Sequence, residues 1–447
     1  MSESRVPTVF IETYGCQMNV SDSELMLGSL AAHGYGEAAD PRSADVILVN
    51  TCAIRDHAEQ RVIGRLGELK RDMKPGSVVG VTGCMAQRLG PRLLDAAGHV
   101  SFVIGPDGYR ALPALVDRAR QGERAVATSF DLEEHYEDFT PRRFDRVKAW
   151  IPVQRGCDYR CTYCIVPTTR GPERSRRLAD VVRETAGAVA DGMSEVVLLG
   201  QTVNSYHDGT HDFADLLRAV GAVPGVRRVR FTSPHPNDFS DRVIAAMADV
   251  PAVCEHVHLP MQSGSSRILK RMLRRYDRDG YLACVDRLRA AIPGLALTTD
   301  VIVGFPGETD ADFEDTLSAV RAVGFADAFT FKFSPREGTP ATRLPAADTV
   351  SDDAAAARLA RLVETVRAGA RRRNLAALGQ RVEVLVEKEA RRGGDLVQTR
   401  TRDFRTVLVP GDATMLGRYL HVELTGTTGS TFTGAVVPER QPLPMAG

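Results

Sequence analysis

Three of the eight cysteines lie within eight residues of one another, at Cys157, Cys161 and Cys164. This CxxxCxxC spacing supplies three thiolates, which can hold three irons of a four-iron cluster and leave the fourth iron open to a reactant. A structural zinc site is the alternative, but zinc usually takes four protein ligands and no fourth Cys or His follows nearby. The spacing therefore favours an iron–sulfur cluster that does chemistry at its open iron.

A second set of cysteines, Cys16, Cys52 and Cys84, follows three short apolar runs that are rich in β-branched residues. The runs have the composition of buried strands and are TVFIET (8–13), DVILVN (45–50) and SVVGVT (77–82). Because ligands bind at the carboxyl edge of an open parallel sheet, the three thiols are expected to converge there. Three small buried apolar residues are the alternative. The repetition at three equivalent strand ends favours a second metal site.

Two further cysteines and two histidines are expected to be structural, although Cys and His are common metal ligands. Cys284 lies within a helical pattern and Cys254 precedes a strand, and neither has a partner at ligand spacing. His235 and His258 likewise lack a third ligand candidate beside them. All four are therefore assigned to packing rather than to chemistry.

The elements that position the cysteines divide the chain into three regions. Up to about Gln121, strand and helix patterns alternate, with a fourth strand at 100–105, which predicts a parallel α/β sheet domain. Residues 122–147 are polar and aperiodic, which indicates a linker. From Trp150 six strand patterns alternate with helices, which predicts a partial (βα)6 barrel with its reactive site at the strand carboxyl ends. After a helical stretch at 353–375, four strand patterns predict a small antiparallel β-barrel: 381–388, 405–410, 419–426 and 432–437.

Composition and charge limit the possible surroundings and partners. The 447 residues are 43% hydrophobic and 26% charged, which is ordinary for a globular protein. No apolar run reaches the roughly 18–20 residues of a membrane span, and no secretory leader is visible, so a cytoplasmic location without membrane contact is expected. The net charge is zero, yet the segment 142–177 holds ten basic and three acidic residues. This segment is either a solvated loop or a surface for a polyanion.

The residues around the cysteines resemble the radical S-adenosylmethionine methylthiotransferase family over roughly 6–438 of the chain. The matching motifs are Thr13–Asn19 with Asp22-Ser23, Asn50–Cys52, Gly83–Gln87, Gly156–Cys164 with Pro167 and Thr169–Gly171, Leu199–Gln201, Leu259–Ser265 and Gly304–Thr309. Within the family, Gly-Cys-Gln-Met-Asn at 15–19 is similar to the branch that acts on dimethylallyladenosine in tRNA. The branches that act on a ribosomal protein or on threonylcarbamoyl-adenosine usually carry other residues after the cysteine, so Gln17-Met18 selects the substrate.

The resemblance implies three domains, two [4Fe–4S] clusters and bound S-adenosylmethionine. The domains would be an N-terminal methylthiotransferase domain (6–122), a radical S-adenosylmethionine core (143–373) and a TRAM RNA-binding barrel (376–438). Cys157, Cys161 and Cys164 would hold the radical-generating cluster, and the auxiliary cluster would be held by Cys16, Cys52 and Cys84. The expected contacts to S-adenosylmethionine are Gly200, Gln201, Gln262, Ser263, Gly264, Gly304, Arg170 and Arg176.

The same resemblance implies a reaction and its partners. One S-adenosylmethionine would methylate a sulfur at the auxiliary cluster, and a deoxyadenosyl radical from a second would activate C2 of the adenine. The expected partners are the tRNA anticodon stem-loop, gripped in part through Arg400, Arg402 and Arg405, and an electron donor such as flavodoxin or ferredoxin. A monomer is expected, and the sulfur donor stays open. The alternatives are a methylthiotransferase for a ribosomal protein or threonylcarbamoyl-adenosine, and a non-catalytic iron–sulfur RNA-binding protein.

Overall fold

The computed structural model describes residues 5–53, 56–390 and 394–437, with the backbone alone at 56–58. The predicted end of the last domain at 438 lies outside the described residues. Within these ranges, no helix has the length and apolarity needed to cross a bilayer.

The N-terminal sheet consists of parallel strands in the order β2-β1-β3-β4-β5-β6. Its strands are β1 (Thr8–Thr13), β2 (Gly36–Glu37), β3 (Val46–Thr51), β4 (Val78–Gly83), β5 (Val100–Ile104) and β6 (Ala125–Ala127). Its helices are α1 (Gln17–Ala32), α2 (Asp56–Asp72), α3 (Cys84–Leu89), α4 (Arg92–Ala96) and α5 (Leu112–Arg120). Every residue of β3 and β4 is buried, as expected for central strands covered on both faces. The predicted parallel sheet is confirmed.

The segment predicted as a linker, 122–147, belongs partly to this sheet. Strand β6 pairs with β5, and the hydroxyl of Tyr136 donates to the carbonyl of Pro106 at 2.9 Å. The Tyr136 ring also stacks on Tyr109, with 5.9 Å between centroids. The linker prediction failed here for two reasons. A three-residue edge strand is too short to show a periodic pattern, and a loop that packs through a few aromatic contacts has a sequence like that of an unpacked linker.

Six parallel strands follow in the central region, as predicted. They are β7 (Lys148–Pro152), β10 (Glu195–Leu199), β11 (Arg228–Phe231), β12 (His256–His258), β13 (Ala296–Val303) and β14 (Asp327–Lys332). They form two three-stranded sheets, β7-β10-β11 and β12-β13-β14. Val229 joins the two through hydrogen bonds to the segment that precedes β12. We call this set the half-barrel.

The half-barrel has an outer face covered by helices and an inner face that is partly open. Every second residue of the strands, such as Ile151, Val257 and Val301, points to the outer face and packs with the helices in one large hydrophobic core. The intervening residues, such as His258 and Asp300, point to the inner face and remain partly exposed. The helices of this region are α6 (Val166–Arg170), α7 (Leu178–Ala190), α8 (Phe213–Gly221), α9 (Asp241–Asp249), α10 (Ser266–Arg271), α11 (Arg278–Ala291), α12 (Asp310–Val323) and α13 (Asp352–Ala376).

A short antiparallel hairpin, β8 (Gln154–Arg155) with β9 (Arg174–Ser175), brackets the loop that carries the CxxxCxxC motif. The hairpin fixes both ends of that loop above the carboxyl end of β7. The motif therefore lies on the reactive side of the half-barrel, as the sequence predicted.

The C-terminal region is a closed barrel with the strand order β15-β16-β17-β19-β18. Its strands are β15 (Arg381–Glu389), β16 (Leu396–Thr401), β17 (Thr406–Pro410), β18 (Tyr419–Thr427) and β19 (Thr431–Val436). Two details differ from the prediction: β16 was missed, and β17 pairs with β19 in parallel. LVQTRT has only two apolar residues, so its strand character becomes visible only when Val397 packs into the barrel core.

Candidate metal centres

The first set of cysteines lies at the ends of three adjacent strands. Cys16 caps the amino end of α1 after β1, Cys52 follows β3, and Cys84 begins α3 after β4. The strand order places β1, β3 and β4 side by side, so the three thiols share one edge of the sheet. Gly15 has φ +135° and approaches Cys52 so closely that a Cβ there would lie 2.6 Å from the Cys52 Cβ. The fold therefore brings the three cysteines to one edge of the sheet, as the sequence predicted.

Asn19 ties two of these strand ends together. Its Oδ1 accepts from the Cys16 amide at 3.2 Å and from the Cys16 thiol at 3.5 Å. Its Nδ2 donates to Asn50 Oδ1 and to the Thr51 carbonyl, both at 3.1 Å. Asn19 is part of the quoted motif, but its role became apparent only from these contacts.

A buried ion-pair network joins the first set of cysteines to the half-barrel. Arg170 Nε donates to the Cys84 sulfur at 3.2 Å, and its Nη2 donates to Asp22 Oδ2 at 2.7 Å. The other Asp22 oxygen lies 3.1 Å from Arg155 Nη1. Asp22 is wholly buried, and both guanidinium groups are nearly so. Asp22 therefore holds together two arginines that flank the CxxxCxxC loop.

The second set of cysteines lies in the loop between β8 and α6. The Cys157 sulfur is 3.1 Å from Thr202 Oγ1, and the Cys161 sulfur accepts from Arg274 Nη1 at 3.3 Å. The Cys164 amide donates to the Cys161 carbonyl at 3.0 Å, which winds the loop tightly. Thr202 directly follows a predicted site residue, whereas Arg274 has no local signal in the sequence and was missed.

The buried thiols suit a metal that replaces their protons. Burial raises the pKa of Cys164 to about 12, and it also raises the pKa values of Cys157 and Cys84. Without a cation these thiols are neutral near pH 7, whereas a coordinated thiol is deprotonated. Three thiols in each set, with an arginine donating to one sulfur of each, fit the thiolate ligands and sulfur hydrogen bonds of an iron–sulfur cluster.

In the described ranges, no three His, Cys, Asp or Glu side chains converge on one point as the ligands of a single ion do. The ligands of a four-iron cluster bind separate irons, so they stand apart around it.

The two sets of cysteines border the same interface. Ile165, which follows Cys164, packs in one cluster with Cys84 and Ala53. On the other side, Cys16 packs with residues of the inner face, including Leu199. Groups held at both sets would therefore face a common space between the N-terminal sheet and the half-barrel.

Arg170 and Arg176, predicted to grip the carboxylate of S-adenosylmethionine, are engaged elsewhere. Arg170 binds Asp22 and Cys84, as described above. Arg176 Nη1 donates to Glu184 at 2.6 Å and to the Pro152 carbonyl at 2.9 Å. The geometry does not support either residue as a ligand of that carboxylate, because both guanidinium groups already pair with acidic side chains of the protein.

The predicted glycines are close to protein atoms. A Cβ on Gly200 would lie 2.7 Å from Gln154 Oε1, one on Gly264 would lie 2.6 Å from the Thr316 Cα, and one on Gly304 would lie 2.7 Å from the Ala355 Cβ. Packing alone thus requires glycine at these three positions.

The polar residues predicted beside them shape the loops at the strand ends. Gln201 Oε1 accepts from the Gly156 amide at 2.6 Å, which places the residue before Cys157. Gln262 has φ +67° and donates its amide to the Asp300 carbonyl at 2.8 Å. The Ser263 hydroxyl lies 3.3 Å from Thr316 Oγ1. All of these residues remain at the carboxyl ends of β10 and β12.

Three of the four residues expected to be structural are accounted for by packing or stacking. Cys254 and Cys284 are buried, the latter in the main core. His235 stacks on Tyr159 with 3.8 Å between centroids, and burial lowers its pKa to about 2, so it is neutral. His258 differs, because it lies on the inner face beside Asp300.

The three arginines expected to contact RNA phosphates form ion pairs within the protein. Arg400 pairs with Glu387 at 3.0 Å, Arg402 with Glu255 at 2.8 Å, and Arg405 with Asp403 at 2.7 Å. This corrects the interpretation of their cluster as a free basic surface. Charge clustering in the sequence could not reveal the acidic partners, of which Glu255 is 147 residues away.

Comparisons with known proteins agree with this architecture. Residues 8–105 match the uncharacterized protein family UPF0004, and residues 151–320 match the radical SAM superfamily. A radical S-adenosylmethionine methyltransferase, TsrM from Kitasatospora setae, has a similar structure, with a TM-score of 0.57 and 16% identity over 75% of this chain and 77% of that one. The cobalamin-dependent radical enzyme OxsB gives a TM-score of 0.53 and 12% identity over 81% of this chain and 58% of that one. At these identities the likeness shows the fold alone.

Relatives with much higher identity span nearly the whole chain. One from Solibacter usitatus is 43% identical over 435 residues, covering 96% of this chain and 97% of its own length. One from Acidothermus cellulolyticus is 48% identical over 398 residues, covering 88% and 80%. One from Geobacter sulfurreducens is 42% identical over 439 residues, covering 97% and 98%. With this identity over this length, the chain belongs to the radical SAM family of tRNA-2-methylthio-N(6)-dimethylallyladenosine synthases.

Proposed function

We propose that this enzyme attaches a methylthio group to C2 of N6-(dimethylallyl)adenosine at position 37 of tRNA, next to the anticodon, using two [4Fe–4S] clusters. The relatives that are 41–48% identical carry the name of this activity. The observation that carries the two-cluster proposal is the pair of three-cysteine sets on one interface, each with a sulfur that accepts from an arginine. Sulfur insertion needs both a radical generator and a sulfur carrier, and two such sites can supply them.

Cys157, Cys161 and Cys164 would hold the radical-generating cluster. When bound, such a cluster supplies the electron that cleaves S-adenosylmethionine to methionine and a 5′-deoxyadenosyl radical. The chain orients this site through Gln201, which fixes the Gly156 amide, and through Arg274, which donates to the Cys161 sulfur. Gln262, Ser263 and the glycine-bearing strand ends border the space in which S-adenosylmethionine would lie.

Cys16, Cys52 and Cys84 would hold the auxiliary cluster and the sulfur to be transferred. Asn19 orients Cys16, and Arg170 donates to the Cys84 sulfur. Two cysteines of each set are buried, which would limit water at the reacting groups and favour radical chemistry over quenching by solvent.

The remaining partners follow from this reaction. The C-terminal barrel would act as a TRAM-type surface for the anticodon stem-loop, and the base to be modified must leave its stack to reach the interface. A flavodoxin or ferredoxin would supply electrons to a monomeric enzyme in the cytoplasm, where its tRNA substrate is present.

Iron and sulfide analysis of anaerobically purified enzyme tests the two-cluster proposal. We expect about eight irons per chain, falling to about four when Cys16, Cys52 and Cys84 are replaced by Ala. Cys254→Ala and Cys284→Ala are matched controls that should leave the iron content unchanged. About four irons in the unmodified enzyme would contradict the proposal.

Product analysis tests the reaction. With reductant and S-adenosylmethionine, the enzyme should release 5′-deoxyadenosine and convert dimethylallyladenosine in tRNA to its 2-methylthio form, measured by nucleoside mass spectrometry. Release of 5′-deoxyadenosine with modification of threonylcarbamoyl-adenosine or of a ribosomal protein would replace the proposed substrate. No 5′-deoxyadenosine at all would favour a non-catalytic iron–sulfur protein.

A further inference from the structure

The inner face of the half-barrel is open along β12, β13 and β14. The strand register sets His258 beside Thr298 and Asp300 beside Phe329. The Phe329 ring is 58% exposed, although it lies on the concave side of the barrel. An exposed aromatic ring in a concavity adds little to core stability and offers a flat apolar surface to a ligand.

A row of polar groups lies beside this ring, joined by hydrogen bonds to the Thr298 hydroxyl and by a close contact between His258 and Asp300. His258 Nε2 is 3.2 Å from Asp300 Oδ2, and its Nδ1 is 3.0 Å from Thr298 Oγ1. The same hydroxyl lies 3.1 Å from His256 Nε2. Asp300 Oδ1 has no hydrogen-bond partner among the residues that the structure describes. The His258 imidazole therefore lies beside one carboxylate oxygen, and the other remains available as an acceptor.

The second set of cysteines lies near this part of the inner face, and the first set lies near the strands opposite it. Ile302, two residues after Asp300 on the same face, shares a hydrophobic cluster with Tyr163, which lies between Cys161 and Cys164. On the opposite strands, Trp150 and Leu199 of the inner face pack with Met18 and Cys16. A planar group between these walls would lie next to both proposed clusters.

The C-terminal barrel closes the other end of the half-barrel. Phe404 stacks on His256 with 4.6 Å between centroids. Arg230 donates to the carbonyls of Thr401 and Arg402, both at 2.8 Å. The polar groups of the inner face therefore line a concave surface. The C-terminal barrel closes this surface at one end, and the cysteines lie at the other end.

We propose that Phe329 and Asp300, with Asp300 positioned by His258, bind the adenine base that is modified. This inference rests on the proposed function and names the contacts that select its substrate. Phe329 stacks on the purine ring, and Asp300 accepts the hydrogen that a monosubstituted N6 amine retains. A guanine would present its O6 acceptor to the carboxylate, so the same pair disfavours guanine.

Binding of short anticodon stem-loops tests this site without requiring turnover. The probes carry N6-(dimethylallyl)adenosine or guanosine next to the anticodon and are otherwise identical. We expect the unmodified enzyme to prefer the first probe, and Asp300→Asn to reduce that preference about tenfold, because an amide can either accept or donate. Phe329→Ala should weaken binding of the adenine probe about tenfold or more, and Phe329→Tyr should restore it, because stacking needs only the ring.

The controls are Asp279→Asn, on an exposed helical position of the same domain, and Phe144→Ala, at an exposed phenylalanine outside the inner face. Both should bind the probes as the unmodified enzyme does, and iron content with circular dichroism verifies that each variant is folded. Unchanged preference in Asp300→Asn and unchanged affinity in Phe329→Ala would overturn the site while leaving the proposed function intact. Loss of preference in the Asp300 variant would support the site even if the product analysis replaced the proposed substrate modification.

Discussion

Asp22 is the residue on which the junction between the two sets of cysteines depends most directly. Its carboxylate is fully buried and pairs with Arg155 and Arg170. Asp22→Asn would leave two buried guanidinium groups without their counter-charge, a change that costs about 3–5 kcal/mol when a buried ion pair is broken. We expect chemical denaturation of the folded enzyme to show a loss of this size.

The matched control for this prediction is Asp117→Asn, at an exposed position of α5. It should change the free energy of unfolding by no more than about 0.5 kcal/mol. Equal effects of the two substitutions would mean that the ion pairs around Asp22 contribute no more than a surface charge.

Glu24 gives the stability of the enzyme a pH dependence whose sign can be worked out. Burial raises its pKa from the ordinary 4.5 to about 7, against the opposing effects of the Phe144 amide and the Arg143 guanidinium. Between pH 4.5 and about pH 7, Glu24 therefore keeps a proton in the folded state that it has released in the unfolded state. The stability that this difference in protonation contributes is lost as the pH rises through about 7.

Glu24→Gln removes that titration and tests the assignment. Between pH 6 and pH 8, the unmodified enzyme should lose about 1 kcal/mol of stability relative to the variant. Urea unfolding at both pH values measures the difference. A constant difference would show that Glu24 is ionised in the folded enzyme throughout this range.

At the scale of elements, Gly264 determines how closely the loop after β12 approaches α12. A Cβ there would lie 2.6 Å from the Thr316 Cα and 2.7 Å from the Asp315 carbonyl oxygen. Because backbone atoms cannot rotate away, Gly264→Ala should destabilise the enzyme by about 1–3 kcal/mol through overpacking. Thermal unfolding measures the loss.

Gly187 provides the control, since a Cβ at this helical position would meet no atom within 4 Å. Gly187→Ala should stabilise the enzyme by about 0.4–1 kcal/mol, because it reduces the freedom of the unfolded chain. Reduced affinity for S-adenosylmethionine in Gly264→Ala, with stability unchanged, would instead favour a ligand-binding role for this glycine.

At the scale of the whole molecule, ion pairs fix the C-terminal barrel to the half-barrel. Arg402 donates to Glu255 and to the carbonyls of Pro251 and Val253, all within 2.8–2.9 Å. Tyr419 reinforces the same interface, because the Arg227 guanidinium stacks on its ring with 3.6 Å between the Arg227 Cζ and the ring centroid. The barrel is thereby held at one orientation toward the inner face, which would set where a bound RNA delivers its base.

Arg402→Ala should loosen this interface. Hydrogen bonds to charged groups contribute about 1.5–3 kcal/mol each, so hydrogen exchange at the segment before β12 should quicken by at least about tenfold. Arg405→Ala is the control, because Arg405 pairs with Asp403 inside its own barrel. Equal exchange in both variants would contradict a docking role for Arg402.

The sequence by itself determined the parts of this protein that depend on local pattern. Runs of β-branched residues ending in Cys16, Cys52 and Cys84 predicted three strand ends, and parallel strands necessarily present those ends at one edge. The CxxxCxxC spacing is also a local pattern: its three cysteines lie within eight residues, so it predicted a compact loop of thiols. The six central strands followed from short apolar strand runs that alternate with helical patterns.

Only the tertiary structure decided which charges meet. Arg170 and Arg176 looked available for a ligand, and Arg400 and Arg402 for RNA, until their buried or distant carboxylate partners were seen. Arg274, which reaches Cys161 from 113 residues away, had no local pattern to reveal it. Pairing of charges over such separations depends on how the chain packs, because a long side chain can reach several partners and burial selects one of them.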